Sequence, residues 1–320
     1  MNTRSFAVSA SYDPCIKYWD VARGKNMGSI PHPESQINCL SLTENGSQIG
    51  VGSWQRVAIF DAETMASSPL LAFEAISKNI TALGFQSEGR WMFTGGEDET
   101  CRIFDMRGNG LSLACQRMCS ITSSVQSVVL HPNQCELFFC DSGGGVYCWD
   151  LRAGTHENLP LVQISPNFVT NLAIHPSGHT LFGITSHGKV VRWNLMGVEG
   201  KTDGREGTGE GSRTESPIPI SLFPCHYALS CNVSPDGRLI AISSSSNRIL
   251  ILDSKTLEIE NELSIGATWI WNTAFSCDSS KLLIGGESRL SMVDVSTNRP
   301  LIIYEGHSKP ITALAMYDPL

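Results

Sequence analysis

The sequence predicts an all-β protein, a seven-bladed β-propeller whose last blade is closed by strands from both ends of the chain. Three observations lead there. First, an aromatic or apolar residue followed by Asp recurs at Trp19-Asp20, Phe60-Asp61, Phe104-Asp105, Trp149-Asp150, Leu252-Asp253 and Val293-Asp294, with Trp193-Asn194 as a variant. Second, the steps between the first residues of these seven pairs are 41, 44, 45, 44, 59 and 41. That is the period of one four-stranded blade at every step but one. Third, a turn built from Pro, Asn, Asp, Ser or Gly lies some 15 residues before each of the last six pairs, and an alternating strand precedes each turn.

The clearest unit is Gly89 to Asp105. Two short strands flank a break at Gly96, Glu97 and Asp98, and Ile80 to Phe85 supplies the strand before them. The turns are Glu44-Asn45-Gly46, Ser87-Glu88-Gly89, Pro132-Asn133-Gln134, Pro176-Ser177-Gly178, Pro235-Asp236-Gly237 and Cys277-Asp278-Ser279. Their leading strands are Ile37–Leu42, Ile80–Phe85, Val125–Leu130, Val169–Ile174, Leu229–Val233 and Ile270–Phe275. The first unit has no leading strand and opens directly on Ser5-Phe-Ala-Val-Ser-Ala. The missing strand stands at the other end, Ile311 to Met316, preceded by Gly306-His307. Both termini therefore complete one blade, which removes two open sheet edges. A chain of 320 residues suggests two domains by length alone, but the repeat makes 1–320 a single propeller. The long step of 59 has a local cause. Residues 197–216 are dense in Gly and charge and almost free of apolar side chains, so they bury too little to offset their ordering entropy. They are predicted to form a flexible loop after the third strand of the fifth blade, on the face opposite the strand-entry loops.

Composition excludes several classes of function. The formal net charge is −8, with Lys and Arg scattered, which argues against a phosphate-binding surface and hence against nucleic acid. Apolar runs are short, and the N-terminus has no long apolar segment, so neither a membrane helix nor a signal peptide is expected. The 11 cysteines are dispersed, without Cys-x-x-Cys or zinc spacing, and read as small buried thiols in a reducing cytoplasm. The sequons at Asn45, Asn79 and Asn232 are chance matches by that reading. There is no phosphate-binding loop, no His-Glu-x-x-His and no Gly-x-Ser-x-Gly. Gly143-Gly144-Gly145 falls in a strand-to-strand turn, and His131 and His175 fill turn positions. No catalytic residue, metal ligand or cofactor is assigned.

The informative side chains stand where strands enter the blades, around one mouth of the central channel. There the sequence places Gln36, Asn38, Asn79, Phe168, Tyr227, Trp269 and Trp271, with Trp54 in a turn on the same rim. Aromatics beside amides suit a protein-binding surface. Trp269 and Trp271, two residues apart on an alternating strand, are expected to share a face.

The repeat resembles the WD40 family. In its terms Gly306-His307, Asp13 and Trp19, with Ser9 or Ser11, resemble the His–Ser–Asp–Trp hydrogen-bond set of a blade. Asp13, Trp19, Asp98 and His307 are therefore read as structural, and the Ser–His–Asp combination is not read as a hydrolase. Lys78-Asn79-Ile80, Gly89 to Asp98, Leu130 to Gln134, Tyr227-Ala228-Leu229, Trp269-Ile270-Trp271 and Gln36-Ile37-Asn38 are similar to one WD40 family in particular. These are the G-protein-β-like subunits of target-of-rapamycin (TOR) kinase complexes, of the lethal-with-sec-thirteen type. The resemblance runs over nearly the whole chain. It implies a non-catalytic partner shared by both TOR complexes, seated on the C-lobe of the kinase through one propeller face, and cytoplasmic residence with recruitment to endomembranes through the complex. By position, Gln36, Asn38, Trp269 and Trp271 match the family's kinase-contacting rim. The longer 197–216 segment, the shortened stretch before Trp269 and the absence of Trp at Leu252 and Val293 depart from the family pattern. The competing reading is an adaptor propeller that presents substrates or modified peptides, as in a ubiquitin ligase. Such adaptors usually carry clustered Arg on the top face, where this chain has amides and aromatics.

Overall fold

Alternation of apolar and polar residues over five or six positions, punctuated by left-handed turns, leaves the chain little choice but short antiparallel strands. The computed structural model describes residues 5–32, 35–74, 76–107, 114–160, 168–195, 219–223, 226–266 and 269–319. The loop expected at 197–216 lies outside the described residues. The described strands form seven four-stranded antiparallel sheets. The closing blade runs from the channel outward as β28 (Ile311–Tyr317), β1 (Phe6–Ser11), β2 (Cys15–Asp20) and β3 (Asn26–Pro31). The second blade is β4 (Ile37–Leu42), β5 (Gln48–Ser53), β6 (Arg56–Asp61) and β7 (Leu71–Phe73). The third is β8 (Ile80–Phe85), β9 (Trp91–Gly96), β10 (Thr100–Asp105) and β11 (Ala114–Ser120). The fourth is β12 (Val125–Leu130), β13 (Glu136–Asp141), β14 (Val146–Asp150) and β15 (His156–Asn158). The fifth is β16 (Val169–Ile174), β17 (Thr180–Thr185), β18 (Lys189–Asn194) and β19 (Ile220–Ser221). The sixth is β20 (Ala228–Val233), β21 (Leu239–Ser244), β22 (Ile249–Asp253) and β23 (Ile259–Leu263). The seventh is β24 (Asn272–Phe275), β25 (Lys281–Gly285), β26 (Arg289–Asp294) and β27 (Pro300–Glu305).

The closing blade joins the two ends of the chain. β28 pairs antiparallel with β1, from Phe6 opposite Tyr317 to Ser11 opposite Ile311. The Ser5 hydroxyl donates to the Asp318 carboxylate beside this ladder. Every turn marked in the sequence is present, and each ends in a residue with positive φ: Gly46, Gly89, Gln134, Gly178, Gly237 and Ser279. One expected strand is shorter than its alternation suggests. β24 starts at Asn272, not at Ile270. The Ile270 carbonyl accepts the Ser243 hydroxyl at 2.8 Å and its N–H donates to the Ser244 carbonyl at 3.3 Å, so this residue belongs to the preceding blade.

Apolar side chains fill the wedges between neighbouring blades. One cluster joins Phe138, Val146 and Cys148 of the fourth blade to Val169, Leu181 and Trp193 of the fifth. Another joins Ala7 and Trp19 of the closing blade to Leu283, Leu290 and Met292 of the seventh. Inner strands of adjacent blades share no ladder, so side chains tie their backbones together. The hydroxyls of Thr81, Thr170 and Thr312, each the second residue of an inner strand, donate across the seam to the carbonyls of Val125, Ala228 and Ile37 at 2.8, 3.1 and 2.7 Å. On the opposite face the turns latch to one another. His131 Nε2 donates to the Gly178 carbonyl, and His175 Nε2 to the Gly237 carbonyl, both at 2.9 Å. In each ring Nδ1 accepts a backbone N–H, from Asn133 and Ser177, which fixes the neutral tautomer. These two histidines fill turn positions as expected, and they also hold neighbouring blades together.

Candidate protein-binding rim

The rim is built by the residues that enter the inner strands and by the turns between second and third strands. Two sectors differ in character. On the second and third blades it is polar and internally bonded. The Asn38 amide donates to Asn79 Oδ1 at 3.0 Å, and the Asn79 amide donates to Glu97 Oε2 at 3.1 Å. Asn38 and Asn79 are half-buried and spend their amides on this chain, while Gln36 at the mouth of β4 is exposed. Glu97 was not singled out from the sequence. It lies in a turn that the sequence marks only as a strand break, and its role depends on which inter-blade neighbour Asn79 reaches. Trp54 stands beside this sector, 50% exposed, bridged by its backbone to Asn79. Gln55 next to it donates its backbone N–H to the Lys78 carbonyl and its amide to the Ser77 carbonyl. The turn that carries Trp54 is thus clamped to the next blade.

On the fifth to seventh blades the rim is aromatic. Trp269 and Trp271 do share a face. Their rings stack at 5.2 Å between centroids with 26° between planes, while Ile270 between them is fully buried. Trp269 is 39% exposed, and Trp271 is half-buried at the channel mouth. Tyr227 is 54% exposed, its backbone held by two hydrogen bonds to Ser245. Phe168 is half-buried, and its carbonyl accepts the Ser186 N–H at 3.0 Å. The structure therefore brings Asn38 to Asn79 and Trp269 to Trp271 as contacting pairs.

The channel behind the rim has a volume of about 400 Å³ and is lined by Asn38, Gln126, Asn171, Asn232 and Asn272 among hydroxyl and aliphatic groups. Several of these amides tie blades together. Asn171 accepts the Cys231 N–H at 3.1 Å, and Asn232 donates to the Thr273 carbonyl at 2.7 Å. The Cys231 thiol on the channel wall is pushed up to about 12 by burial, so it stays protonated at neutral pH. Among the described residues no group of three or more His, Cys, Asp or Glu could hold a metal ion, and no helix is long and apolar enough to cross a membrane. The ten described cysteines are free thiols.

The set at the closing blade is a connected network. His307 Nδ1 lies 2.9 Å from Asp13 Oδ2, His307 Nε2 lies 2.7 Å from Ser9 Oγ, and the Trp19 indole donates to Ser9 Oγ at 2.7 Å. Ser9, not Ser11, is the serine of the set. Ser11 donates to the Lys309 carbonyl instead. Burial holds His307 below the usual imidazole range, against the pull of Asp13. Burial alone would raise Asp13, but the Ser308 N–H and the His307 ring bring it below the usual carboxylate range. A neutral ring is donor to Asp13 Oδ2 and acceptor from Ser9, while the second Asp13 oxygen, Oδ1, is buried without a hydrogen-bond partner. Asp98 is structural in a different way. Its Oδ2 pairs with Arg102 Nη1 at 2.8 Å and its Oδ1 accepts the Thr100 hydroxyl at 2.7 Å, all close to fully buried.

Comparison with known proteins agrees with the propeller fold. The profile of the WD domain, G-beta repeat family matches residues 67–105. The mouse protein named target of rapamycin complex subunit LST8 is 32% identical over 97% of this chain and 94% of its own length. The chain belongs to the LST8 family. A Drosophila melanogaster LST8 homolog is 31% identical over 98% of this chain and 96% of its own length. The target of rapamycin complex subunit wat1 of Schizosaccharomyces pombe is 28% identical over 78% of this chain and 74% of its own length. Among solved structures, the β-propeller domain of Cps50 (Swd1) from a Myceliophthora species superposes with a TM-score of 0.70 at 17% identity. It covers 86% of this chain and 87% of that one, a likeness of fold alone.

Proposed function

We propose that this chain is a non-catalytic scaffold subunit of TOR kinase complexes, docking the C-lobe of the kinase domain through the strand-entry rim and supporting assembly and activity in growth signalling. The observation that carries the reading is the stacked Trp269–Trp271 pair, part exposed at the channel mouth with Tyr227 on the neighbouring blade. Large flat rings already ordered by each other lose little entropy on binding and act as central anchors in protein interfaces. Relatives matched over nearly the full length carry TOR complex subunit names, which supports the choice of partner. The amide sector contributes through Gln36 at the mouth of β4, with Asn38 and Asn79 fixing the backbone around it. The subunit resides in the cytoplasm and reaches endomembranes as part of the complex.

The test is affinity purification of the tagged chain from its own cells, with the Trp269→Ala, Trp271→Ala double variant in parallel. A large kinase of the TOR class is expected with the wild type and lost from the variant, and each single Ala is expected to cost roughly 2 kcal/mol of binding. Retention of the kinase by a folded double variant refutes the aromatic face. Recovery of ubiquitin-ligase subunits with no kinase refutes the TOR assignment. The cellular site is checked by imaging the tagged chain, and an exclusively nuclear signal refutes it.

A further inference from the structure

Trp54, Asn79 and Glu97 come from two neighbouring blades and stand in one row. Trp54 sits in the two-residue turn between β5 and β6, and Glu97 follows β9. Asn79 lies between them. Its backbone bridges Trp54 antiparallel, with the Gln55 N–H on the Lys78 carbonyl at 3.1 Å, and its own carbonyl accepts the Glu97 N–H at 2.9 Å. Directly opposed residues of antiparallel neighbours point to the same side and stand about 4.5–5.5 Å apart at Cα. The indole and the carboxylate therefore rise from Cα atoms about 10 Å apart, with the Asn79 amide between them. These side chains differ in what they leave open. Asn79 is spent, its Oδ1 on the Asn38 amide and its own amide on Glu97 Oε2. The donors all point one way along this path, from Asn38 through Asn79 to the carboxylate. Glu97 is thereby held in place with Oε1 open. Among the described residues no Lys or Arg forms an ion pair with it, and Arg102 in the same hairpin is committed to Asp98. Trp54 is half exposed, on a turn that Gln55 clamps to the Ser77 carbonyl at 2.9 Å.

We propose that this row seats one arginine of the partner kinase, its guanidinium lying over the Trp54 indole and donating to Glu97 Oε1. The inference rests on the strand-entry rim being the docking face, and it names the chemistry that the polar sector of that rim reads. Three properties select arginine. A partner that covers Asn38 and Asn79 also covers the carboxylate bonded to them, and a carboxylate stripped of water without a cation is costly. An ammonium would supply the charge but has no plane, whereas a guanidinium stacks on an indole and presents N–H donors at its edge. The net charge of −8 on this chain attracts a basic segment and repels an acidic one. The kinase is then held at two separate points of the ring. The stacked Trp269–Trp271 pair stands at the seventh blade, and the arginine seat spans the second and third.

The first test needs no kinase. The purified full chain labelled with 5-fluorotryptophan gives seven fluorine resonances, one per Trp, and Trp54→Phe assigns that of Trp54. Acetyl-Gly-Arg-Gly amide is then titrated in. The Trp54 resonance is expected to move with a dissociation constant of the order of millimolar, since a single side chain supplies the contact. The lysine counterpart of the peptide is expected to bind at least about threefold more weakly. Glu97→Gln keeps an acceptor for Asn79 but loses the charge, and is expected to abolish the shift with an unchanged unfolding midpoint. A Trp54 resonance that does not move up to about 50 mM arginine peptide overturns the proposal. So does a shift that Glu97→Gln leaves intact, or an equal response to the two peptides. In the second test the kinase is captured on the immobilised chain. Glu97→Gln is expected to weaken capture at least about tenfold and to flatten its dependence on salt. Capture equal to wild type overturns the pairing. The two readings fail separately. A kinase lost from the Trp269→Ala, Trp271→Ala variant but held by Glu97→Gln leaves the docking rim standing and removes the arginine seat. A kinase held by the tryptophan variant removes the aromatic anchor, and the peptide titration still decides the arginine seat.

Discussion

Ser9→Ala is the sharpest probe of how the ring is held closed. The substitution removes one oxygen from the middle of a path that links both ends of the chain: Trp19 on β2, Ser9 on β1 and His307 before β28. Two groups lose their partner, the Trp19 indole N–H and the lone pair of His307 Nε2, each at 2.7 Å from Ser9 Oγ. Ser9 and Trp19 are fully buried and His307 nearly so, and water has little access to replace the hydroxyl. An unsatisfied buried donor or acceptor costs about 1–3 kcal/mol, so the pair should cost about 2–6 kcal/mol. The assay is urea unfolding of the purified chain followed by tryptophan fluorescence, with Ser11→Ala as control. Ser11 is equally buried, but its hydroxyl serves only the Lys309 carbonyl and the Asp13 N–H, and about 1 kcal/mol is expected there. A double-mutant cycle between Ser9→Ala and Trp19→Phe should show coupling of about 1 kcal/mol or more, since both remove the same hydrogen bond. A Ser9→Ala loss no larger than that of Ser11→Ala, or a cycle with no coupling, would refute the network as a structural unit.

Other perturbations follow from the same geometry. Burial holds His307 below its ordinary range, and burial followed by Arg56 does the same to His32, so both are bound as neutral rings. The unfolded chain takes up protons at these sites before the folded one does, so stability is full above about pH 6.5 and falls as pH drops below it. A melting temperature that is flat from pH 7.5 to 5 would contradict this. The depressed Asp13 carboxyl contributes in the same direction, and its share is kept until pH falls below about 4. Arg102→Ala strands the buried Asp98 carboxylate and should cost about 3 kcal/mol, with Asp98→Asn partly restoring the Arg102→Ala variant; equal stability of Arg102→Ala and wild type would sink the claim. Thr312→Val keeps the shape of a seam residue but removes its bond to Ile37, and a loss of about 1 kcal/mol is expected in denaturant unfolding, against none if the seam bond is irrelevant.

Much of the fold was readable because its signals are local. A turn that needs a left-handed residue advertises it within three positions, and six such turns at a fixed distance from an aromatic-Asp pair define blades. Gln134 and Ser279 show that the position matters more than glycine: they adopt φ of 60° and 61° where four other turns use Gly. Both side chains then latch the neighbouring turn, Gln134 accepting the Ser87 N–H and Ser279 the Asp236 N–H. The split blade was readable too, because a strand missing at one end and spare at the other admits one arrangement. What sequence could not reveal is register between blades. Asn38 and Asn79 are both legible as rim amides, yet nothing local says that they bond to each other and on to Glu97. Alternation also extended β24 back to Ile270, since a buried Ile between two outward Trp has a strand's period. The hydrogen bonds of that residue go to Ser243 and Ser244, 27 and 26 positions away, and no window of sequence contains them.

That misplaced strand start explains the candidate anchor. β24 begins its pairing with β25 at Asn272, so residues 269 to 271 carry no ladder bonds to their own blade. They are fixed instead at one point, where Ile270 is buried and bonded at both its carbonyl and its N–H to the end of β21. Pinning the central residue of an extended triplet turns its two neighbours the same way, and here both are tryptophan. Stacking at 5.2 Å then orders the rings against each other without any partner present. The aromatic sector is thus set up by a seam between the sixth and seventh blades, while the amide sector is set up by Asn38 and Asn79 across the seam between the second and third. In both places the bonds that position the rim are bonds that hold neighbouring blades together. A surface made this way is preorganised to the degree that the ring is closed, which is why the network around Ser9, remote from the rim in sequence, belongs to the same physical problem as partner binding.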